Sequence, residues 1–283
     1  SFLISLFVFG QEEQKKDSIL ETALSGFSFR SVGPAFMSGR IADIAIDPNN
    51  ENVWYVAVGS GGTWKTINAG TTWKPLTDKE SFYSTGCITL DPSNSSVVWL
   101  GTGENVGGRH VGIGHGVYRS NDGGSSWEDM GLEKSEHISK IIVHPDNSNI
   151  IWVAAQGPLW SSGGERGLFK STNGGKTWVN KLEINEWTGI TDLVIDPSNP
   201  DVLYAASWQR HRNVAAYMGG GPGTSIYKSF DGGETWNKID NGLPSSNMGK
   251  IGLAISPMNP EVLYAAIELE RRKGAVYRSS NSG

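Results

Sequence analysis

Eight residues recur along this chain. They read TINAGTTW at Thr66–Trp73, SNDGGSSW at Ser120–Trp127, STNGGKTW at Ser171–Trp178 and SFDGGETW at Ser229–Trp236, and Ser279–Gly283 begins a fifth copy. A second motif alternates with the first. It reads IAIDPNNENVWYVA from Ile44, ITLDPSNSSVVWLG from Ile88, IIVHPDNSNIIWVA from Ile141, LVIDPSNPDVLYAA from Leu193 and LAISPMNPEVLYAA from Leu253. Its prolines, Pro48, Pro92, Pro145, Pro197 and Pro257, recur about every 52 residues. Self-similarity at such a period marks a chain of repeated supersecondary units.

Each unit reads as four strands. The short apolar run at Ile44–Ile46 and its equivalents suits a strand buried on both faces. Asp-Pro-x-Asn ends it: proline fixes φ and donates no hydrogen bond, and Asn50, Asn94, Asn147, Asn199 and Asn259 suit a left-handed turn. A second strand carries an aromatic at one register, namely Tyr55, Trp99, Trp152, Tyr204 and Tyr264. A third reads aromatic–Lys/Arg–Ser/Thr, as in Trp64-Lys65-Thr66 and Tyr227-Lys228-Ser229. The eight-residue motif closes it, and a fourth strand begins at its Trp. Four-stranded antiparallel meanders repeated at this period are the blades of an all-β β-propeller, in which each sheet buries its faces against its neighbours.

Within the short motif, Ser/Thr and Asp/Asn side chains accept backbone N–H groups in a tight turn. Gly70, Gly124, Gly175 and Gly233 supply positive φ. Trp73, Trp127, Trp178 and Trp236 are expected to be buried. Asp122 and Asp231 are replaced by Asn68, Asn173 and Asn281 in the other copies. An amide takes no proton, so these carboxylates are turn acceptors rather than catalysts. The motif resembles the Asp-box, or BNR, repeat. Together with D-P-x-N-P-x-x-L-Y-A-A it is similar to the propellers of sortilin-type and BNR/YVTN-like secreted proteins. Phe29-Arg30-Ser31-Val32-Gly33-Pro34 and Ser38-Gly39-Arg40-Ile41-Ala42 resemble the opening of their bacterial branch. The resemblance spans roughly residues 27–283. It implies a propeller but not one function, because such families include glycosidases, sialidases and receptors.

The N-terminus reads as targeting sequence. Phe2–Phe9 is apolar, is shorter than the roughly 20 residues that span a bilayer, and ends in Val8-Phe9-Gly10 before a polar stretch. Residues 1–10 are expected to be the remnant of a signal peptide, 11–26 a flexible segment, and 27–283 a partial propeller broken off inside its fifth motif. The protein would then be exported, without membrane insertion of the mature chain, and further domains downstream are possible. Phe27–Ser31 would be an outer ring-closing strand. Five units make an open arc of a ring of seven or more, with Leu253 and Ile255 partly uncovered. Cys87 stands alone, so no intramolecular disulfide forms. A net charge of −5 without a basic stripe argues against nucleic acid.

Strand direction puts the Asp-Pro turns and Asp-boxes on one face and the loops between second and third strands on the other. These loops are long and Gly-rich: Gly103–Gly116, Gln156–Gly167, Ser207–Thr224 and Glu268–Gly274. Such loops on a rigid scaffold are where binding resides. They carry the candidate ligand contacts Glu104, Arg109, His110, Gln156, Arg166, Trp208, Arg210 and Arg212, with Trp160, Glu165 and His211 beside them. Arg40 joins them from the start of the first innermost strand. Guanidinium forks suit carboxylates, so Arg40 with Trp208, Arg210 and Arg212 forms a candidate site for an anionic ligand at the channel mouth. The bland reading leaves these as solvated loop charges, with Arg40 paired internally to Asp43 or a carbonyl.

No cofactor is expected. Gly101–Gly107 and Gly219–Gly223 lack the following helix and Lys-Ser/Thr of a phosphate loop. His110, His115 and His137 lack zinc spacing, and there is no Gly-x-Ser-x-Gly elbow. Glycosidase chemistry needs two carboxyl groups. Asp43 and Asp192 share a register on innermost strands, where Cys87 and Lys140 stand in other units, but they fall on opposite sides of the centre. The xyloglucan-cleaving Asp-box glycosidases carry an Asp just before a Gly-Gly; here Val58-Gly59-Ser60-Gly61-Gly62 has Gly59 in its place. The F-R-I-P of sialidases is reduced to Arg40-Ile41. The leading reading is a sortilin-like propeller that binds a peptide, protein or glycan. The alternative is a glycoside hydrolase with unusual carboxyls, Glu104 with Glu165 or Asp43.

Overall fold

A computed structural model describes residues 39–270 and 273–283; the expected signal remnant, flexible segment and closing strand lie outside them. Unit 1 comprises β1 (Ile41–Ile46), β2 (Trp54–Val58), β3 (Gly62–Thr66) and β4 (Lys74–Pro75). Unit 2 comprises β5 (Thr85–Asp91), β6 (Asn94–Thr102), β7 (Val117–Ser120) and β8 (Glu128–Asp129). Unit 3 comprises β9 (Ile138–His144), β10 (Asn147–Ala155), β11 (Gly167–Ser171) and β12 (Val179–Leu182). Unit 4 has β13 (Thr188–Asp196), β14 (Asn199–Gln209), a small hairpin of β15 (His211–Arg212) and β16 (Tyr217–Met218), then β17 (Ile226–Ser229) and β18 (Asn237–Ile239). Unit 5 has β19 (Ile251–Ile255), β20 (Leu263–Glu268) and β21 (Gly274–Ser279). The unit sheets are antiparallel meanders in chain order, and one short 3₁₀ turn (Glu133–Ser135) is the helical element among the described residues.

The first strands pack side by side as β1, β5, β9, β13 and β19, and so form the inner wall of an arc. Each neighbouring pair is joined by one polar side chain. Asp43 accepts the Ile88 N–H at 3.2 Å, Thr89 donates to the Ile141 carbonyl at 3.0 Å, Ser139 to that of Ile190 at 2.9 Å, and Asp192 accepts the Leu253 N–H at 2.7 Å. Between these strands lie the apolar clusters, each built from two adjoining units. Cys87, Trp99, Ile138 and Val153 belong to the one between units 2 and 3.

The recurrent aromatic and the recurrent cation act together at the outer rim. Tyr55 and Lys65 of unit 1 both donate to the Gly123 carbonyl in the Asp-box of unit 2, at 3.3 and 3.2 Å. Trp152 of unit 3 donates to Gly232 of unit 4 at 3.0 Å. Tyr204 and Lys228 of unit 4 donate to Ser282 of unit 5 at 2.9 and 2.5 Å. The ammonium lies over the aromatic ring in each case, at 4.7, 5.6 and 5.1 Å from its centre. At the junction of units 2 and 3, Arg119 covers Trp99, and the tip of that indole lies so close to Gly175 that a Cβ there would be 2.6 Å away. At three of the four junctions the box therefore supplies the acceptor through which one unit holds the next, and at the fourth it supplies a packing surface.

The box turn forms as expected. Ser120 accepts the Gly124 N–H at 2.8 Å, and Asp122 accepts from the backbone of Ser125 and Ser126, both at 2.9 Å. Asn173 accepts the Thr177 N–H at 3.0 Å and turns its amide N–H toward the Thr177 hydroxyl at 2.8 Å, which is why carboxylate and amide interchange. Two expectations are corrected. The motif asparagines are not left-handed; Asn94 and Asn199, for instance, accept the N–H two residues on, at 3.0 and 3.2 Å, which stabilises the turn without positive φ. The box tryptophans are not fully buried. Trp127, Trp178 and Trp236 are half-buried because each packs toward the preceding unit, and Trp73, which has no such neighbour among the described residues, is 40% exposed.

Among the described residues both ends of the arc are uncovered, as expected. Ile44 and Ile46 of β1 are about half exposed, and Leu253 and Ile255 are partly covered. Trp152→Ala, which empties a fully buried site, is expected to cost about 3–5 kcal/mol, and Trp73→Ala under about 1 kcal/mol, read from urea midpoints at constant slope. The hydrogen bonds from Ser126 and Ser120 hold the Asp122 carboxyl down at about 2, so its contribution is complete above the unfolded carboxylate value near 4 and fades as pH falls toward 2. Asp122→Asn with Asp231→Asn should flatten thermal stability across that acid range.

Candidate functional site

The loops opposite the boxes converge on one segment. Glu104, just after β6, is 2% exposed and accepts Arg40 through Nε at 3.0 Å and Nη2 at 2.5 Å, and the Gly112 N–H at 2.9 Å. The next three residues are gripped from the far units. Lys250 Nζ donates to the carbonyl and side chain of Asn105. Arg210 donates to the Val106 carbonyl at 2.8 Å, and Arg212 to that of Gly107 at 3.0 Å. Residues 104–107 thus form a strap, held by one cation per residue, from unit 1 on one side and units 4 and 5 on the other.

The expected gathering of Arg40, Trp208, Arg210 and Arg212 at one mouth is therefore present, but it is organised around the strap. Arg210 is fully buried, its second nitrogen donates to the Gly157 carbonyl at 3.1 Å, and burial lowers its pKa to about 9. Arg212 lies over the Tyr217 ring at 4.6 Å. Trp208 is 3% exposed; its indole donates to the Gly219 carbonyl at 3.0 Å, and Arg210 and Lys250 both lie over its ring. Lys250 is brought down to about 8, by burial first and then by Arg210. Arg166 is also buried and folds its own loop, donating to the carbonyls of Gly163 at 2.7 Å, Gln156 at 2.8 Å, Ser161 at 2.7 Å and Pro158. Arg166, Arg210 and Trp208 are buried and hold backbone carbonyls, so they are not accessible ligand contacts as they stand.

Gln156 is likewise buried and donates to Thr191 at 2.9 Å. Arg109 and His110 are exposed, Arg109 reaching the Val214 carbonyl at 3.3 Å. Arg40 pairs with Glu104 rather than with Asp43, which instead lies 3.8 Å from Lys140 on the inner wall. The proposed carboxyl pairs are not assembled: Glu104 is spent on Arg40, whereas Glu165 accepts the Lys134 N–H at 2.9 Å beside the outer groove of Asp129 and Trp178. Asp192 is raised by burial while its oxygens staple β13 to β19. Cys87 is buried, and burial pushes its thiol strongly upward, so it is an inert core group. No group of metal-ligating side chains occurs among the described residues.

Gly59 explains the placement of Glu104. A Cβ at position 59 would lie 2.5 Å from Glu104 Oε1. The carboxylate of unit 2 thus fills the space beside β2 that a side chain of unit 1 would take. Sequence reasoning missed Glu136. It is half-buried just before β9, has φ of 62°, and its carboxyl is raised by burial against the lowering influence of Arg166 and Arg210. A non-glycine residue in the left-handed region was its only local signal, and that is invisible in sequence. Exposed rings ornament the same face. Tyr83 is 66% exposed with its hydroxyl on the Ser60 carbonyl at 2.6 Å, Trp160 is 44% and Tyr217 40% exposed, and Trp187 stands edge-on to His211 at 4.2 Å.

Comparison with known proteins agrees with this architecture. The family model described as "Sortilin, neurotensin receptor 3" matches residues 115–243. A probable oligoxyloglucan-reducing end-specific xyloglucanase of Neosartorya fischeri is 24% identical over 77% of this chain and 26% of its own length. A xyloglucanase of Acetivibrio thermocellus is 27% identical over 69% of this chain and 25% of its own length. Among solved structures, an ancestral GH74 enzyme superposes with a TM-score of 0.63 at 24% identity, covering 87% of this chain and 30% of that one. The GH74 enzyme of Niastella koreensis gives 0.64 at 20% identity, covering 86% and 37%. The chain is part of a β-propeller. It spans about a quarter of the length of the curated relatives it matches. No helix among its described residues is long and apolar enough to cross a membrane.

The Gly59–Glu104 contact is testable as a cycle. Gly59→Ala should cost about 1–3 kcal/mol by overpacking, and much less in a Glu104→Ala background. A coupling energy near zero in the double mutant would mean that Glu104 does not occupy that space.

Proposed function

We propose that this chain supplies the polysaccharide-binding face of a glycoside hydrolase acting on a neutral β-glucan of the xyloglucan kind. The observation that carries it is the contrast on the loop face between rings and cations. Tyr83 and Trp160 are 66% and 44% exposed, rigid platforms with apolar bodies and polar edges. The arginines that would select an anionic or acidic ligand are engaged, Arg40 with Glu104 and the others with backbone carbonyls. A neutral chain stacked on aromatics fits that face better than a carboxylate does. The xyloglucanase relatives agree in substrate class, and an extracellular polymer as substrate accords with export.

Hydrolysis requires one carboxyl to deliver a proton to the leaving oxygen and a second to act on the sugar carbon or on water. Glu136 is the proton-donor candidate at the face, since burial favours its protonated form. Glu104, ion-paired to Arg40, is the second carboxyl at that face. The sortilin-like reading as a peptide receptor has no comparable support on this face.

Affinity electrophoresis in gels containing xyloglucan or polygalacturonate tests the assignment. Retardation by xyloglucan alone is expected, weakened roughly tenfold by Trp160→Ala, about 1.4 kcal/mol. Retardation by the acidic polymer only would overturn it. Release of reducing ends should vanish in Glu136→Gln while retardation persists.

A further inference from the structure

Two neighbouring junctions inside the arc are charged differently at the rim. Between units 3 and 4, Lys170 of the third strand meets Glu234, the sixth residue of the next box, at 2.7 Å, and Lys181 reaches the other carboxylate oxygen at 2.6 Å. These ammoniums, Lys170 first, hold the Glu234 carboxyl below the usual carboxylate range. Between units 2 and 3 the corresponding residues are Arg119 and Lys176. Arg119 holds the register of Lys170: it lies between Trp99 and Glu128 as Lys170 lies between Trp152 and Val179. Its guanidinium covers the Trp99 ring at 5.5 Å, and Gly175, whose backbone abuts that indole, directly precedes Lys176. Two cations therefore stand where the next junction has a cation and a carboxylate. Among the described residues Arg119 has no hydrogen bond or ion pair, and both its Nε and the Trp99 indole nitrogen are buried without an acceptor. Buried donors left unmet are costly. Glu128, across from Arg119 on β8, is exposed and does not pair with it.

We propose that an oxyanion binds between Arg119 and Lys176, in the place that the Glu234 carboxylate takes at the next junction. A guanidinium fork beside an ammonium matches a carboxylate or phosphate group in charge and in donor geometry. The bound ion supplies the acceptor that Arg119 lacks, and it offsets the repulsion between two cations carried by different units. It also ties the third strand of unit 2 to the box of unit 3, as Glu234 ties units 3 and 4. The site lies at the outer rim, with the boxes, and does not rest on the glycan reading.

Thermal melting with and without millimolar inorganic phosphate, at an ionic strength held constant with sodium chloride, tests it. The parent is expected to melt higher with phosphate, because an ion that binds only the folded chain stabilises it. Arg119→Met keeps a side chain over Trp99 but removes the charge, and should lose that rise. Lys176→Glu supplies a carboxylate from within the chain. It should melt higher than the phosphate-free parent and gain nothing further from phosphate. A direct readout is the Arg119 Nε–H resonance, identified as the arginine signal missing from Arg119→Met, which should move as phosphate is added to the parent. Acetate in place of phosphate separates the sources: movement with both ions assigns the site to carboxylates as well, and movement with phosphate alone assigns it to a phosphate group. A parent that gains nothing from phosphate overturns the proposal. So does an equal rise in all three chains, which is the general effect of an excluded salt, or an Nε–H resonance that neither ion moves.

Discussion

Everything in this molecule hangs on how one sheet holds the next. A four-stranded meander alone has two apolar faces and little to stop it from sliding on its neighbour, because apolar packing is non-directional. The outer latch supplies direction. At the junctions of units 1 and 2 and of units 4 and 5 a ring from the second strand and a cation from the third meet one carbonyl of the adjoining box, while Asp43, Thr89, Ser139 and Asp192 tie the inner strands. Rim and wall together fix both translation and angle. The box must keep a residue in the left-handed region so that its carbonyl points outward, and Ala69 and Ser282 tolerate that conformation where glycine is absent.

The repeat was legible because each unit obeys the same demands, and the period, the strand order and the box turn all follow from local rules. The partners were not legible. Nothing in Tyr55 or Lys65 tells which carbonyl, 58 to 68 residues onward, they will meet. The asparagines after the prolines offered two local solutions, a left-handed backbone or a side-chain acceptor, and only the surrounding strands decide for the second. Trp73 departs from its three counterparts because exposure belongs to the neighbour and not to the residue.

On the loop face the sequence marked charged and aromatic residues but not what they touch. Arg166, Arg210 and Trp208 sit on long polar loops, which reads as solvent exposure, yet the loops fold over them and make their charge internal. Irregular backbone leaves many carbonyls unpaired, and buried guanidiniums with several donors each are an efficient way to satisfy them. Glu104 was marked for its charge, but its position is set by Gly59, a residue noticed only for the side chain it lacks. Glu136 escaped notice because its backbone angle and its burial are both tertiary facts.

The strap at residues 104–107 has a mechanical meaning. Five sheets linked only to nearest neighbours are a row of hinges, and a small error at each would accumulate into a large error of curvature. Four cations from units 1, 4 and 5 hold one short run of chain, which makes that run a chord drawn across the arc. A chord converts four independent angles into one shared length. Any force on the strap is therefore felt at both ends of the arc together, and any bending of the arc is reported at the strap.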